Sequence, residues 1–573
     1  MPGLDSLDVS GNVTRVEAFR GTQLMSLQST TPSKSRLFLN IDGLALLALV
    51  ACLLLMFVCV RAYIAPDSTD LRFHTRNAAF VFEQFVSGNF IPRWNPLAHA
   101  GAGEASFDHY GPVSYIVPAL WQWMGFGPTL ALLYAFTTCF AVGVTILLAL
   151  PSPAEFRYRA LAALGLGTSS AAVFLAYYVQ GYAAYFASVL SLCGLVLLAG
   201  NDGSSRRLSR PLFAILFFAT AFAGHLLTAG IVLLSFVLPA CFFYIRAGRW
   251  TALKDVLAIV GIAFLIALPF SVQPVYFARF LDLAHYARDI RWQDSFALPL
   301  ISMHFSRPWW ISVQMVSMGV PLLLVLCGGI WRAMKPGDPV HRTLAAASAI
   351  CAFAALDFSY PLWAAFPSIA DKLQTPLRFV FPALIGWAAH VFLAGRGFLP
   401  RRVAWIEFAV LLVLPPAIGF FHLHKNVDQT PDAIQMEPDT LAGYNKNFVP
   451  LNFSVPGEPA PDLARECRAN AVSCRSAVEG GTQRVISVES DHAIQALPLA
   501  VACYATLAGR VAPENGASVH CANGQFVLSA PPGRHVVRIA WVGAPVYTFF
   551  WAGSALGIAL MLVLLWRIRV RRR

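Results

Sequence analysis

Apolar runs about 20 residues long, enough to carry a helix across a bilayer, recur along this chain. Short basic clusters separate them, and that alternation restricts the fold more than any other feature. The 573 residues are 57% hydrophobic and only 13% charged, with a mean hydropathy of +0.60. An average soluble domain is far from this composition. The reading is an α-helical polytopic membrane protein. The formal charge of +12 does not point to nucleic acid, because the bases lie between apolar runs as the positive-inside rule expects.

The first 36 residues are polar and lack the short apolar core of a cleavable signal. Residues 37–63 are therefore expected to remain as the first span, with Lys34 and Arg36 holding the N-terminal segment 1–36 in the cytoplasm. Pro112 to Phe126 is short, carries Pro118 and two Trp, and is expected to lie in or dip into the outer interface. Further spans are expected over Thr129–Leu150, Ala160–Tyr178 and Tyr182–Ala199. Pro211 to Ile245 is too long for one ordinary span and is interrupted at Gly224-His225, so two short helices should meet there near the outer face. Val256–Val272, Trp310–Trp331, Leu344–Phe366, Pro376–Ala394 and Val403–Phe421 complete a membrane domain over residues 37–421. With a last crossing at Tyr547–Trp566 and a basic tail in segment 546–573, the total is about twelve spans. Basic clusters at Arg157, Arg206, Arg249, Arg332 and Arg401 mark the cytoplasmic side.

Residues 422–545 change character, with more charge, Pro, Asn and Gly and no run long enough to span. Short stretches such as GTQRVISVES and RHVVRIAWVG read as β-strands bounded by turn residues. The expectation is a small, mainly β, extracytoplasmic domain. Four of the chain's 11 cysteines fall there: Cys467, Cys474, Cys503 and Cys521. An even set outside the membrane suggests disulfides. Cys467–Cys474 and Cys503–Cys521 is the favoured pairing, and sequence leaves the others open.

Between the first spans lies the most polar stretch of the membrane domain, an outer loop over 64–111 that runs on to Tyr115. Its acids are Asp67, Asp70, Glu83, Glu104 and Asp108; its bases are Arg72, Arg76 and Arg93, with His74, His99 and His109 beside them. Such a loop is either plain solvated surface or a surface that meets something polar. A second polar outer loop, 273–309, contains Arg279.

The stretches D-L-R-F-H (Asp70 to His74), G-N-F-I-P-R-W-N-P (Gly88 to Pro96) and G-A-G-E-A-S-F-D-H-Y-G-P (Gly101 to Pro112) resemble the first outer loop of bacterial GT-C-type membrane glycosyltransferases. The nearest resemblance is to the multi-span family labelled 6-pyruvoyl-tetrahydropterin-synthase-related, a label that implies no pterin chemistry. G-H-L-L-T-A (Gly224 to Ala229) and L-Q-T-P-L-R-F (Leu373 to Phe379) are similar to it as well, so the resemblance spans roughly residues 40–400. It implies transfer of a sugar from a polyprenyl-phosphate donor to a glycan, lipid or protein acceptor on the periplasmic face of a bacterial inner membrane. An acceptor hydroxyl must lose a proton as it attacks, and a carboxylate at the membrane boundary can take it. The family pattern makes Asp70 that base and Asp67 the second choice. Arg72, His74 and Arg76 would hold Asp70 ionised. The competing reading makes Asp70 a helix N-cap.

The phosphate leaving group needs cationic or N–H stabilisation. Arg93, His225 and Arg378 are the candidates, with Arg72 and Arg279 behind them. For Arg93 the alternative is interfacial anchoring beside Trp94, and for His225 a hydrogen bond between helices. His74, Asn95, Glu104, Asp108 and Tyr110 complete the expected substrate-binding set, and a divalent metal held with Asp70 is left open. The β domain would bind acceptor or simply cover the outer face. Two rival readings remain. A lipid or solute transporter would also use broken helices and intramembrane Arg and His, although no internal repeat is visible. A non-catalytic assembly protein of the same fold would not need the acid.

Overall fold

The computed structural model describes residues 43, 46–54, 69–98, 102–105, 107, 110–150, 152, 154–169, 172, 181–200, 209–277, 293, 296–298, 309–373, 375–400, 402–416, 462–479 and 482–570. Its larger part is helical. Residues 46–54 are helical within the expected first span. Helix α1 (Thr69–Val86) opens the polar loop, and α2 (Ile116–Trp123) follows a 3-10 turn at Pro112–Tyr115. Then come α3 (Pro128–Ala149), α4 (Phe156–Thr168), α5 (Tyr182–Ala199), α6 (Ser209–Gly224), α7 (Leu226–Arg246), α8 (Trp250–Ser271), α9 (Trp309–Met334), α10 (Pro339–Ala355), α11 (Val380–Ala394) and α12 (Ala404–Pro416).

Seven segments among the described residues are long and apolar enough to cross a membrane, or eight if α10 and the bent continuation Asp357–Ala365 form one span broken by 80°. About twelve spans were expected. The difference lies in length: α4 has 13 residues and α6 has 16, short of the 20 or so that hydrocarbon requires. The rest of the expected first span, of Ala160–Tyr178 and of Val403–Phe421 falls outside the described residues. Helix α2, with 8 residues, is too short to span.

Local chemistry sets the helix ends. Gly127 precedes α3, and Pro128 starts it, where the missing N–H costs nothing. Asp338 caps α10 by accepting from Val340 N. Gly395 ends α11 in the left-handed conformation (φ 60°). The break at Gly224-His225 separates two apolar helices as expected, and α7 is itself of spanning length.

Among the described residues, the C-terminal region comprises α13 (Leu463–Ala469) followed by seven antiparallel strands in two sheets. The first sheet orders β1 (Ser473–Glu479), β2 (Gln483–Ser490), β7 (Gly533–Trp541) and β4 (Leu507–Ala512). The second orders β3 (Ile494–Ala502), β6 (Gln525–Ala530) and β5 (Ser518–Ala522). Ile486, Val488, Val537 and Ile539 of one sheet share a buried cluster with Leu497, Leu499, Phe526 and Leu528 of the other. Cys467–Cys474 bonds α13 to β1, and Cys503–Cys521 bonds the end of β3 to β5.

This β region is tied back to the helices twice. Helix α14 (Val546–Val570) packs on α8. Gly553 lies against Leu268 and Gly557 against Ile266, while Ser554 Oγ donates to Ile266 O at 2.9 Å. Small residues permit that approach. The second tie is the polar loop. Trp94, Ala102 and Ala105 belong to the β region's own core, and Ala502 N donates to Ala102 O at 2.8 Å.

Candidate functional site

Four stretches far apart in sequence meet at one end of the helical domain. They are the start of α1, the turn at Tyr110–Tyr115, the α6–α7 break, and the 3-10 turn Pro376–Phe379 that leads into α11. The packing shows why. Gly111 lies against the backbone of Ala223 and Gly224, where a Cβ would collide with the Ala223 carbonyl. Tyr110 sets its ring edge-on to His225 with centroids 5.5 Å apart, and 5.9 Å from His74.

Asp70 is the second residue of α1, in its first turn rather than at its cap. Burial pushes its carboxyl up to about 6, and the positive charge of Arg378 pulls the other way. At neutral pH the carboxylate is mostly ionised and still basic enough to take a proton. His74, one turn further on, is buried, and burial holds its imidazole down near 3. It is therefore neutral. Its Nδ1 lies 2.6 Å from the Tyr115 hydroxyl, which also accepts from Asn77 Nδ2 at 3.2 Å. With Asn77 donating to the phenol oxygen, the Tyr115 proton goes to His74 Nδ1, which puts the imidazole proton on Nε2. His74 and Arg76 were expected to hold Asp70 ionised. A neutral imidazole cannot do so, and Arg76 is 2.8 Å from Glu104. Arg378 supplies the opposing charge.

Arg378 is positioned by its own motif. Thr375 Oγ1 accepts from Leu377 N at 3.2 Å, and Pro376 starts the turn that carries the half-buried arginine. His225 caps α7, its Nδ1 accepting from Thr228 N at 3.2 Å. That acceptor role places the His225 proton on Nε2. His225 lies within electrostatic reach of both Arg378 and His74.

The remaining expected residues form a second group. Glu104 is fully buried and paired with Arg76 at 2.8 Å. Its backbone exchanges hydrogen bonds with Asn95, N to O at 2.7 and 2.8 Å. Asn95 Oδ1 accepts from Leu97 N, shaping the turn. Arg93 donates to Phe107 O and Pro269 O, both at 3.1 Å. Pro269 O belongs to the last turn of α8, where carbonyls lack intrahelical donors and a cation is favourable. The guanidinium also lies over the rings of Phe270 and Tyr547. Arg93 thus joins the loop to α8 and α14, and its neighbour Trp94 is buried in the β region rather than at an interface.

Asp67, Asp108 and Arg279 lie outside the described residues, as does the side chain of Arg72. Among the described residues, no group of three or more His, Cys, Asp or Glu is placed to hold a metal ion. Sequence reasoning missed Tyr115 and Asn77, which fix the His74 tautomer. It also missed Asp357, buried at the α10 bend. A lone acid within the apolar Leu344–Phe366 run was the available signal for the last.

The chain is thus a helical protein with apolar helices of membrane-spanning length, a two-sheet β region, and a half-buried Asp–Arg–His cluster at one end of its helices. No protein-family model matches the sequence, and comparison with curated proteins finds no match.

Proposed function

We propose that the protein is a GT-C-type glycosyltransferase of a bacterial inner membrane, with its site on the periplasmic face. It moves a sugar from a polyprenyl-phosphate donor to a glycan, lipid or protein acceptor. Asp70 takes the acceptor's proton, and Arg378 meets the phosphate that leaves, giving one inverting displacement. The Nε2–H groups of His225 and His74 are neutral donors suited to sugar hydroxyls or phosphate oxygens. The observation that carries this reading is the convergence of Asp70, Arg378 and His225 within electrostatic reach of one another, with Tyr110 set against His225 and His74. A half-buried carboxyl raised to about 6 feels the charge of a guanidinium, so a base suited to neutral pH shares this end of the helices with a fork suited to phosphate. The resemblance of the four converging motifs supports the same reading.

Purified protein in nanodiscs, titrated with polyprenyl phosphate, tests it. Arg378→Ala should weaken binding at least tenfold, and Arg378→Lys should recover part of the loss. Unchanged affinity in both variants would remove Arg378 from the site. A transporter is the second reading, favoured by the helix break at His225 and the 80° bend after α10. It predicts movement of the donor across proteoliposomes without transfer of its sugar.

A further inference from the structure

The opposite end of the helical domain holds a basic cluster that this reaction does not use. Arg332, in the last turn of α9, is 8% exposed, and its Nε has no hydrogen-bond partner. Among the described residues it makes no ion pair. Its basic neighbours along the chain are engaged. Arg342 Nε donates to Ala333 O at 2.8 Å and stacks over Phe243. Lys335 lies over the Trp331 ring, and Arg249 pairs with Asp338.

Two histidines lie close by. His341, in the first turn of α10, meets fully buried His390 of α11 edge-on with ring centroids 5.1 Å apart. The Nδ1 of His341 is buried without a hydrogen-bond partner. Arg396, exposed just beyond α11, lies within electrostatic reach of Arg332, His341 and His390. Two acids at this end, Glu407 and Asp338, are already committed. Glu407 accepts from Trp387 Nε1, Phe398 N and Leu399 N at 2.7, 2.8 and 2.9 Å. Asp338 caps α10, pairs with Arg249, and also acts on His341.

A buried cation without a counter-ion is costly, and folds avoid it unless an anion arrives. The groups assembled here are a guanidinium fork, a second guanidinium at the rim and an imidazole nitrogen without a partner. That is the donor chemistry of a phosphate site. We infer that Arg332, Arg396 and His341 bind a phosphate-bearing anion at this end of the helices. The phosphate belongs either to an anionic lipid headgroup or to a soluble phosphate species. Arg332 grips it with two N–H groups, and His341, in the neutral tautomer with its proton on Nδ1, adds a third donor.

The test uses the full chain and follows its thermal unfolding midpoint. One arm titrates inorganic phosphate against matched chloride, with the protein in neutral detergent. The other compares vesicles of phosphatidylcholine alone with vesicles containing phosphatidylglycerol. Stabilisation by phosphate assigns a soluble ligand, and stabilisation only by phosphatidylglycerol assigns a headgroup. Arg332→Gln should weaken the stabilising ligand at least tenfold, and Arg396→Gln, at an exposed position, several-fold. Without either anion, Arg332→Gln should melt no lower than the unchanged protein, because it removes an uncompensated buried charge. No stabilisation in either arm would overturn the proposal. So would an Arg396→Gln protein that responds as strongly as the unchanged one, whether or not Arg332→Gln folds.

Discussion

Glu104→Gln should be among the most damaging single changes in the polar loop. The Glu104 carboxylate has no exposed surface, the Arg76 side chain is 6% exposed, and they are 2.8 Å apart. A solvent-exposed pair contributes about 0–1 kcal/mol because water screens it. Here water is excluded, and removing one partner strands a buried charge at a cost of about 3–5 kcal/mol. Glutamine keeps the side-chain shape and the backbone bridge to Asn95, so the loss isolates the charge. The double variant Arg76→Met with Glu104→Leu removes both charges of the pair together, so it should recover stability relative to Glu104→Gln. Reversible unfolding in mixed micelles, followed by tryptophan fluorescence, gives the cycle. A Glu104→Gln cost below about 1 kcal/mol, with the double variant no better than the single, would refute the reasoning.

Three further outcomes follow from the geometry. Gly111→Ala should destabilise by about 1–3 kcal/mol, because its Cβ would strike the Ala223 carbonyl; unfolding in the same micelles checks it. His74→Gln should leave the pH midpoint of sugar transfer unchanged, because the imidazole is already neutral; a moved midpoint would show that His74 titrates there. Single cysteines placed at Asp491 in the β region and at Met334 at the far helix end, both exposed, should label from opposite sides of the membrane in a Cys327→Ala background.

Features governed by local chemistry were legible in the sequence. The break at Gly224-His225 was visible because a polar pair interrupts a long apolar run, and the strands because short β-branched stretches alternate with turn residues. The ends of α5 match the expected span. Roles that depend on tertiary burial were not legible. Arg93 has the chemistry of a phosphate ligand, yet its guanidinium is taken up by the Phe107 and Pro269 carbonyls. Interfacial anchoring of Arg93 beside Trp94 was the alternative, because Trp favours that position, yet Trp94 completes a β core. His74 looked cationic, and only its burial makes it neutral. That Arg378 lies within electrostatic reach of Asp70 depends on how α1 and the turn before α11 pack, which no local spacing encodes.

The most direct test of the account is sugar transfer by Asp70→Asn as a function of pH, in proteoliposomes with a polyprenyl-phosphate-linked sugar. Asp70 must be ionised to take a proton, so transfer by the unchanged protein should rise with pH through about 6 and then level off. Asparagine keeps the side-chain shape and cannot accept the proton. The account predicts that Asp70→Asn folds, binds the lipid donor as before, and loses about 10²–10⁴ in rate along with that pH step. A folded Asp70→Asn protein with near-normal transfer and the same pH profile would contradict it.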